Sequence, residues 1–360
     1  MTETLRIGYV PYSNDLQHPD DRRRFPFFAN RLRITFEIAN EKNQYAMILL
    51  PASANLTRWM EYKKRNPKTI FVFEMVDSLT YQKDWKSLMF KGAGRYLVGK
   101  EDKPCLVHRN LLIDWIRIAD FVICSNPKIK DEIQKLNANA LLNLDYLEHE
   151  YPMVKGDYSI SGKMKLFWEG QGVVLPQLLK FKKVFKEVSS FCELHVVTAP
   201  SYPRFAYFLK RPTESLLKEL PIETFFHPWN MRNNGILFSG FDCGIIPLNS
   251  SDLYGWHKPA NKLISFWFSG IPTITSNTPA YSALAKENQN NFICKNEKEW
   301  IEKINWMYQL HVDQRREMAM LNYQFAKSNF STNELDKFWL GLLDKIADLK
   351  ISENKISQAA

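Results

Sequence analysis

Two stretches of this 360-residue chain combine residue types that could do chemistry. The first runs from Asp242 to Tyr281, DCGIIPLNSSDLYGWHKPANKLISFWFSGIPTITSNTPAY. It reads as an apolar strand, a polar loop with a basic end, an apolar helix, a Gly-Ile-Pro break and a second strand. His257, Lys258 and Pro259 stand where the helix should open, and Asn261 and Lys262 fall in its first turn. Unpaired N–H groups and aligned peptide dipoles make such an end attractive to anions. Pro259 suits the first helical position and Gly270 the end. Two ammonium groups beside a helix start suit a diphosphate. A surface basic turn would use the same residues, but LISFWF leaves the helix almost wholly apolar, so its start must lie close to other structure.

The second stretch, YSNDLQHPDDRRRF, follows the first strand. His18, Asp20 and Asp21 are candidate bases toward a hydroxyl, and Arg22, Arg23 and Arg24 could clamp an anion. An Asp cap followed by a solvated basic turn fits these residues as well. Asp77, in FEMVDSLTYQKD, is a further candidate base or a strand-end cap. Gly170, Gln171 and Gly172 form either a phosphate-cradling backbone or a tight turn. Trp229, in FFHPWN, is either a stacking platform or a core aromatic. Ser276 and Asn277 end the strand after the helix.

Strand-like and helix-like runs alternate throughout, which predicts parallel sheets covered by helices on both faces. The first half should hold strands at Leu5–Pro11, Ile34–Ile38, Ala46–Leu50, Thr69–Glu74 and Phe121–Cys124. Helices are expected at Phe25–Leu32, Leu56–Arg65, Leu111–Ile118 and Pro127–Leu136. Asn143–Lys163 lacks sustained periodicity and is expected as an interdomain linker. The second series predicts strands at Lys165–Trp168, Leu194–Thr198, Ile222–Phe226, Cys243–Ile246 and Thr273–Thr275. Its helices are expected at Leu175–Val188, Tyr202–Phe208, Lys258–Ser269, Ala280–Glu287 and Glu297–His311. A final helix near Glu334–Lys350 should precede a frayed tail. The domains are thus expected at 1–150 and 163–330, followed by the helix and tail of 331–360.

The pattern DxGIxPL, a variable loop, KPxNKL and GIPxITSNTPAY resembles the donor-sugar half of the GT-B glycosyltransferases, especially the retaining group called family four. DFVICS, from Asp120 to Ser125, is similar to the last strand of their first domain. The likeness is strong only from Asp242 to Tyr281. It implies an α/β fold of two Rossmann-like, doubly wound domains facing a cleft, with residues 331–360 crossing back toward the first domain and ligands at the carboxyl ends of the strands. It also implies a nucleotide-diphosphate sugar as donor, no tightly bound cofactor, and no metal where lysines take the charge.

Under that likeness His257, Lys258, Asn261 and Lys262 grip the diphosphate, and Gly170, Gln171 and Gly172 approach a phosphate. Trp229 stacks on the nucleobase and Ser276 reaches the donor sugar. The family's usual glycine pair is missing from the first-domain loop, so its roles rest on residue chemistry alone: His18, Asp20, Asp21 or Asp77 as the base toward the acceptor hydroxyl, and Arg22, Arg23 and Arg24 as a clamp on the acceptor or the departing diphosphate. The acceptor implied is a surface polysaccharide or lipid-linked glycan. The chain departs from the family at two acids, where it carries Ser265 and His257, and at an Arg, where it carries Gln171. The same architecture serves nucleotide-sugar epimerases, noncatalytic nucleotide- or glycan-binding partners of a transferase, and two-domain sugar receptors.

Composition narrows the classes. Hydrophobic residues make up 45% and charged residues 24%, as in ordinary globular chains. The net charge of +9 is shared by both halves, and no nucleic-acid recognition motif occurs, so nucleic acid is not an expected partner. A mild excess suits a phosphate-bearing ligand and loose attraction to an anionic membrane. Five widely spaced cysteines form no metal-type cluster and point to a reducing cytosol. No signal-peptide layout or spanning window is found. Membrane contact, if made at the inner face, is expected to be peripheral.

Overall fold

The computed structural model describes residues 5–76, 94–105, 107–144, 146–204, 209–230, 234–248, 259–287 and 292–359. The chain divides into two units. Residues 1–146 and 332–360 make the first, and residues 147–331 make the second.

The first unit holds β1 (Ile7–Tyr9), β2 (Glu37–Ile38), β3 (Met47–Pro51), β4 (Ile70–Met75), β5 (Phe121–Cys124) and β6 (Ala140–Leu142). They form one parallel sheet in the order β2-β1-β3-β4-β5-β6. Its central strands, MILLP and IFVFEM, are buried at every position. Continuous apolar runs of this kind belong to strands covered on both faces. The helices Phe25–Leu32 and Leu56–Arg65 form as expected, and Trp59, Tyr62 and Trp115 pack over Phe71 and Phe73. The last helix, Thr332–Ala359, sets Trp339 against Phe25 and Phe28. It runs on through the segment expected to fray.

The second unit holds β7 (Met164–Glu169), β8 (Cys192–Thr198), β9 (Ser201–Arg204), β10 (Leu209–Pro212), β11 (Thr224–Pro228), β12 (Cys243–Ile246), β13 (Thr273–Ser276) and β14 (Ile293–Cys294). Six of these make a second parallel sheet, β11-β8-β7-β12-β13-β14. In each sheet the order reverses beside the first strand, between β1 and β3 and between β7 and β12. Such switch points open a crevice at the carboxyl ends of strands.

Three local expectations are corrected. The helix expected at Tyr202–Phe208 begins instead as strand β9, paired antiparallel with β10. Pro203 would suit a first helical turn, so the strand is set by its pairing with β10, where Pro203 stands opposite Lys210. The single helix expected at Leu175–Val188 is a 3-10 helix, Gly172–Phe181, followed by an α-helix, Lys182–Val188, because Pro176 lies inside it. Residues 147–163, expected as linker, are docked on the second unit. Lys155 pairs with Asp242 at 3.4 Å, and the Tyr158 hydroxyl donates to the Gly270 carbonyl at 2.9 Å. Gly270 ends its helix at φ +67, where a side chain would also strike Val154.

Candidate functional site

The carboxyl end of the second sheet gathers most of the expected phosphate ligands. β7 runs into Gly170-Gln171-Gly172. The Gly170 N–H donates to the Val197 carbonyl, and its own carbonyl accepts the Thr198 hydroxyl at 2.6 Å. A Cβ at Gly170 would lie 2.6 Å from the Trp168 ring and 3.2 Å from the Lys262 ammonium nitrogen. Glycine is therefore required here by a side chain folded over it, and the backbone does not visit a left-handed region. Lys262 reaches this point from the first turn of the helix Asn261–Phe268, its Nζ 5.1 Å from the centroid of Trp168. The indole face balances part of that charge.

The helix begins at Asn261, with Pro259 outside it and Ala260 as a cap that supplies no side-chain bond. Leu263 to Phe268 are all buried, so tertiary packing and not surface propensity fixes its axis. Asn261 is half-buried beside Lys262. Gln171 is exposed at the start of the 3-10 helix, and Gly172 is buried against Ser201 and Tyr202. Ser276 is buried, and its hydroxyl accepts the Leu248 N–H at 2.8 Å, which ties the exit of β12 to β13. A pocket of about 230 Å³ opens there, lined by Leu248, Ser276, Asn277, Cys294 and Lys295 among others. Trp229 stands 43% exposed after β11, with its backbone N–H donating to the Thr198 carbonyl. It is a surface residue and not a core aromatic. His257 and Lys258 lie outside the described residues.

The end of the first sheet is denser. Asp21 is fully buried, and its two oxygens accept from the Tyr9 hydroxyl, the Tyr12 N–H, the Ser13 N–H and the Ser13 hydroxyl. A carboxylate with four donors holds the loop in place, and its buried oxygens are occupied within the protein. Asp20 keeps 20% of its side chain open. Burial opposes its charge, but the His18 ring and the Arg24 guanidinium outweigh that and hold its pKa below the ordinary value. His18 caps the short helix Pro19–Arg22, stacks on Tyr12 and sets Nδ1 3.3 Å from the Asp20 carboxylate. The hydrogen bond to Asp20 raises its pKa.

Arg24, expected as an anion clamp, is 1% exposed. It sits 3.7 Å from Asp20 and 3.9 Å from Glu74, itself 1% exposed at the end of β4. Its charge is engaged within the protein. Arg22 and Arg23 are half-buried in the same turn. Asp77 lies outside the described residues. The Tyr12 hydroxyl, buried beside Glu74 and Asp20, has no hydrogen-bond partner among the described residues, and burial pushes its pKa well up.

Sequence reasoning missed a second cluster in the second unit. His195 on β8 places Nε2 2.9 Å from Glu193 and Nδ1 2.9 Å from Nε2 of His227 on β11. The only signal was the i, i+2 spacing of Glu193 and His195, and their partner lies on another strand. Among the described residues no group of three or more His, Cys, Asp or Glu side chains is arranged to hold a metal. No described helix is long and apolar enough to cross a membrane.

Neither a family model nor a curated protein sequence matches the chain. Solved structures match in shape. HepE of Anabaena, in complex with UDP, matches with a TM-score of 0.63 at 11% identity, over 95% of this chain and 100% of that one. A glycosyltransferase from Rickettsia africae ESF-5 matches at 0.59 and 12% identity, over 94% and 97%. A TarM mutant from S. aureus, in complex with Fondaparinux, alpha-GlcNAc-glycerol and UDP, matches at 0.54 and 9% identity, over 82% of this chain. The chain spans 55% of that protein, about half its length. Likeness at such identity carries fold and not activity. With its two parallel six-stranded α/β sheets, the chain has the fold of the GT-B glycosyltransferases.

Proposed function

We propose that the chain is a glycosyltransferase that moves a sugar from a nucleotide-diphosphate sugar to a hydroxyl acceptor. The observation that carries this reading is the placement of Lys262. Its ammonium group lies over the Gly170 backbone, beside the switch point of the second sheet, in the first turn of a buried helix. HepE and TarM, which share the fold, are seen with UDP. When the bond from the sugar to the diphosphate breaks, negative charge grows on the departing oxygen. A fixed cation and a helix start already aimed at that oxygen need no reorganisation, which is how preorganised charge lowers a barrier.

His18 is the base we assign toward the acceptor hydroxyl, with Asp20 orienting its ring. Nδ1 stands within reach of both the Asp20 N–H, which it accepts as the helix cap, and the Asp20 carboxylate; the base form is the tautomer with Nδ1–H turned to the carboxylate, which gives up the cap bond and leaves Nε2 to take a proton. A surface polysaccharide or lipid-linked glycan is the acceptor class we favour, with contact to the inner face of a membrane in the second case.

The deciding experiment replaces Lys262 with Ala and follows donor turnover with UDP- and GDP-sugars. Removal of one such charge should lower kcat/KM by roughly 100-fold, and an unchanged value would sink the mechanism. One observation favours a second reading, a nucleotide-binding partner without turnover. Ser265, standing where the resembled family carries an acid, spends its hydroxyl on the Asn261 carbonyl within its own helix. Tight UDP binding with no transfer or hydrolysis in the wild type would select that reading.

A further inference from the structure

The Glu193–His195–His227 chain has a direction. The Glu193 carboxylate can only accept, so Nε2 of His195 must carry a proton. A neutral His195 then has a lone pair at Nδ1, and Nε2 of His227 must donate to it. A neutral His227 is left with its own lone pair at Nδ1. Burial pushes both histidines below their ordinary pKa, which favours the neutral rings that this ordering needs. No hydrogen-bond partner for Nδ1 of His227 occurs among the described residues, and this atom is not among the fully buried ones.

Alternation along β11 and its continuation puts Phe225, His227 and Trp229 on one face. Phe225 stacks on His195 at 4.8 Å, and the Trp229 indole is open to solvent. An aromatic plane beside a fixed acceptor, at the carboxyl end of β8 and β11, suits a flat ring that bears an N–H. Nothing about the diphosphate would need such a relay.

We infer that Glu193 and His195 lock His227 in the tautomer whose Nδ1 accepts from the N–H of a nucleobase stacked on Trp229, selecting uracil or guanine over cytosine or adenine. This rests on the nucleotide-sugar reading above. Uracil N3 carries a hydrogen, whereas cytosine N3 is a bare acceptor and would face the His227 lone pair. A site built around a required hydrogen bond rejects the analogue that lacks it. His227 is thus assigned to specificity, and Glu193 and His195 to positioning.

Two measurements on the full chain test this. In the wild type labelled with 15N-histidine, long-range proton–nitrogen correlation should find His195 and His227 both protonated at Nε2. His227 protonated at Nδ1 would overturn the inference, and this readout needs no variant to fold. Calorimetric titration should then show UDP binding at least about tenfold tighter than CDP. His227→Phe should shrink that preference to about threefold or less, and Glu193→Ala should erode it in part. Lys262→Ala should weaken both nucleotides alike. If UDP binds but the wild type shows no preference, or His227→Phe keeps it, base selection is overturned while the nucleotide reading stands. If neither UDP nor GDP binds, both fall.

Discussion

The carboxyl ends of the two sheets are built on different electrostatic plans. In the first, charged groups are buried against one another. Asp21 accepts from four donors, and Arg24 is held near Asp20 and Glu74 with almost no exposure. In the second, a cation lies over a glycine backbone and an indole, a tryptophan is exposed, and two histidines meet across neighbouring strands. Buried ion clusters cost desolvation and are retained where they fix geometry. The first end therefore acts as a rigid frame around one accessible pair, His18 and Asp20. The second instead sets its polar groups against backbone and aromatic rings.

The largest effect should come from breaking the frame. Asp21→Ala would strand the Tyr9 hydroxyl, two backbone N–H groups and the Ser13 hydroxyl, at a cost on the order of 3 kcal/mol. Thermal unfolding of the variant should move down by roughly 10 °C. Asp21→Asn, which keeps an acceptor oxygen, should lose less. A melting point unchanged by the alanine would mean that the first end is not locked by this carboxylate, and the contrast would fail.

A smaller effect is expected at the open end. In Gly170→Ala the new methyl would meet the Trp168 ring and the Lys262 ammonium, so both must shift. Overpacking of this kind costs about 1–3 kcal/mol. Unlike the first variant, it should weaken UDP binding beyond what its stability loss explains, because the displaced group is the proposed phosphate ligand. Calorimetry on folded protein at 25 °C separates the two. Equal UDP affinity in the variant and the wild type would show that the precise position of Lys262 is irrelevant.

The frame was partly legible in the sequence and the open end more so. Strands such as Phe121–Cys124 and Cys243–Ile246, and the helix Leu56–Arg65, appear at their expected bounds because apolar runs and caps define them locally. Lys262 could be singled out because a basic residue followed by LISFWF marks a helix start. Asp21 could not be told from Asp20, since neighbouring acids differ only in which way each points, and that depends on Tyr9 and Ser13. Arg24 reads as a surface cation until Glu74, fifty residues later, is brought beside it. The helix Val312–Asn329 was missed altogether. Its apolar positions are sparse, and its buried residues include Arg315 and Asn322. The histidine relay spans two strands, so no sequence window contains it.

The smallest effect concerns pH, and the two ends should respond with opposite sign. His18 has a raised pKa in the fold, from its bond to Asp20. Its contribution is complete below the ordinary value of 6.5 and is lost as pH rises through the folded value. His195 and His227 have lowered pKa values, from burial. The unfolded chain binds their protons more readily, so acidification from about pH 6.5 toward the folded values costs stability there. Melting curves of His18→Gln and His227→Phe, each compared with the wild type from pH 5 to 8, separate these contributions. The stability gap for His18→Gln should be widest at low pH and close as pH rises. The gap for His227→Phe should shrink as pH falls, because the wild type loses what the variant no longer has to lose. Screening at the half-exposed His18 limits its share to about 0.5 kcal/mol or less, whereas the more enclosed pair should shift the curve further. Gaps that run in parallel across this range would mean that the two ends do not differ in how they hold their protons.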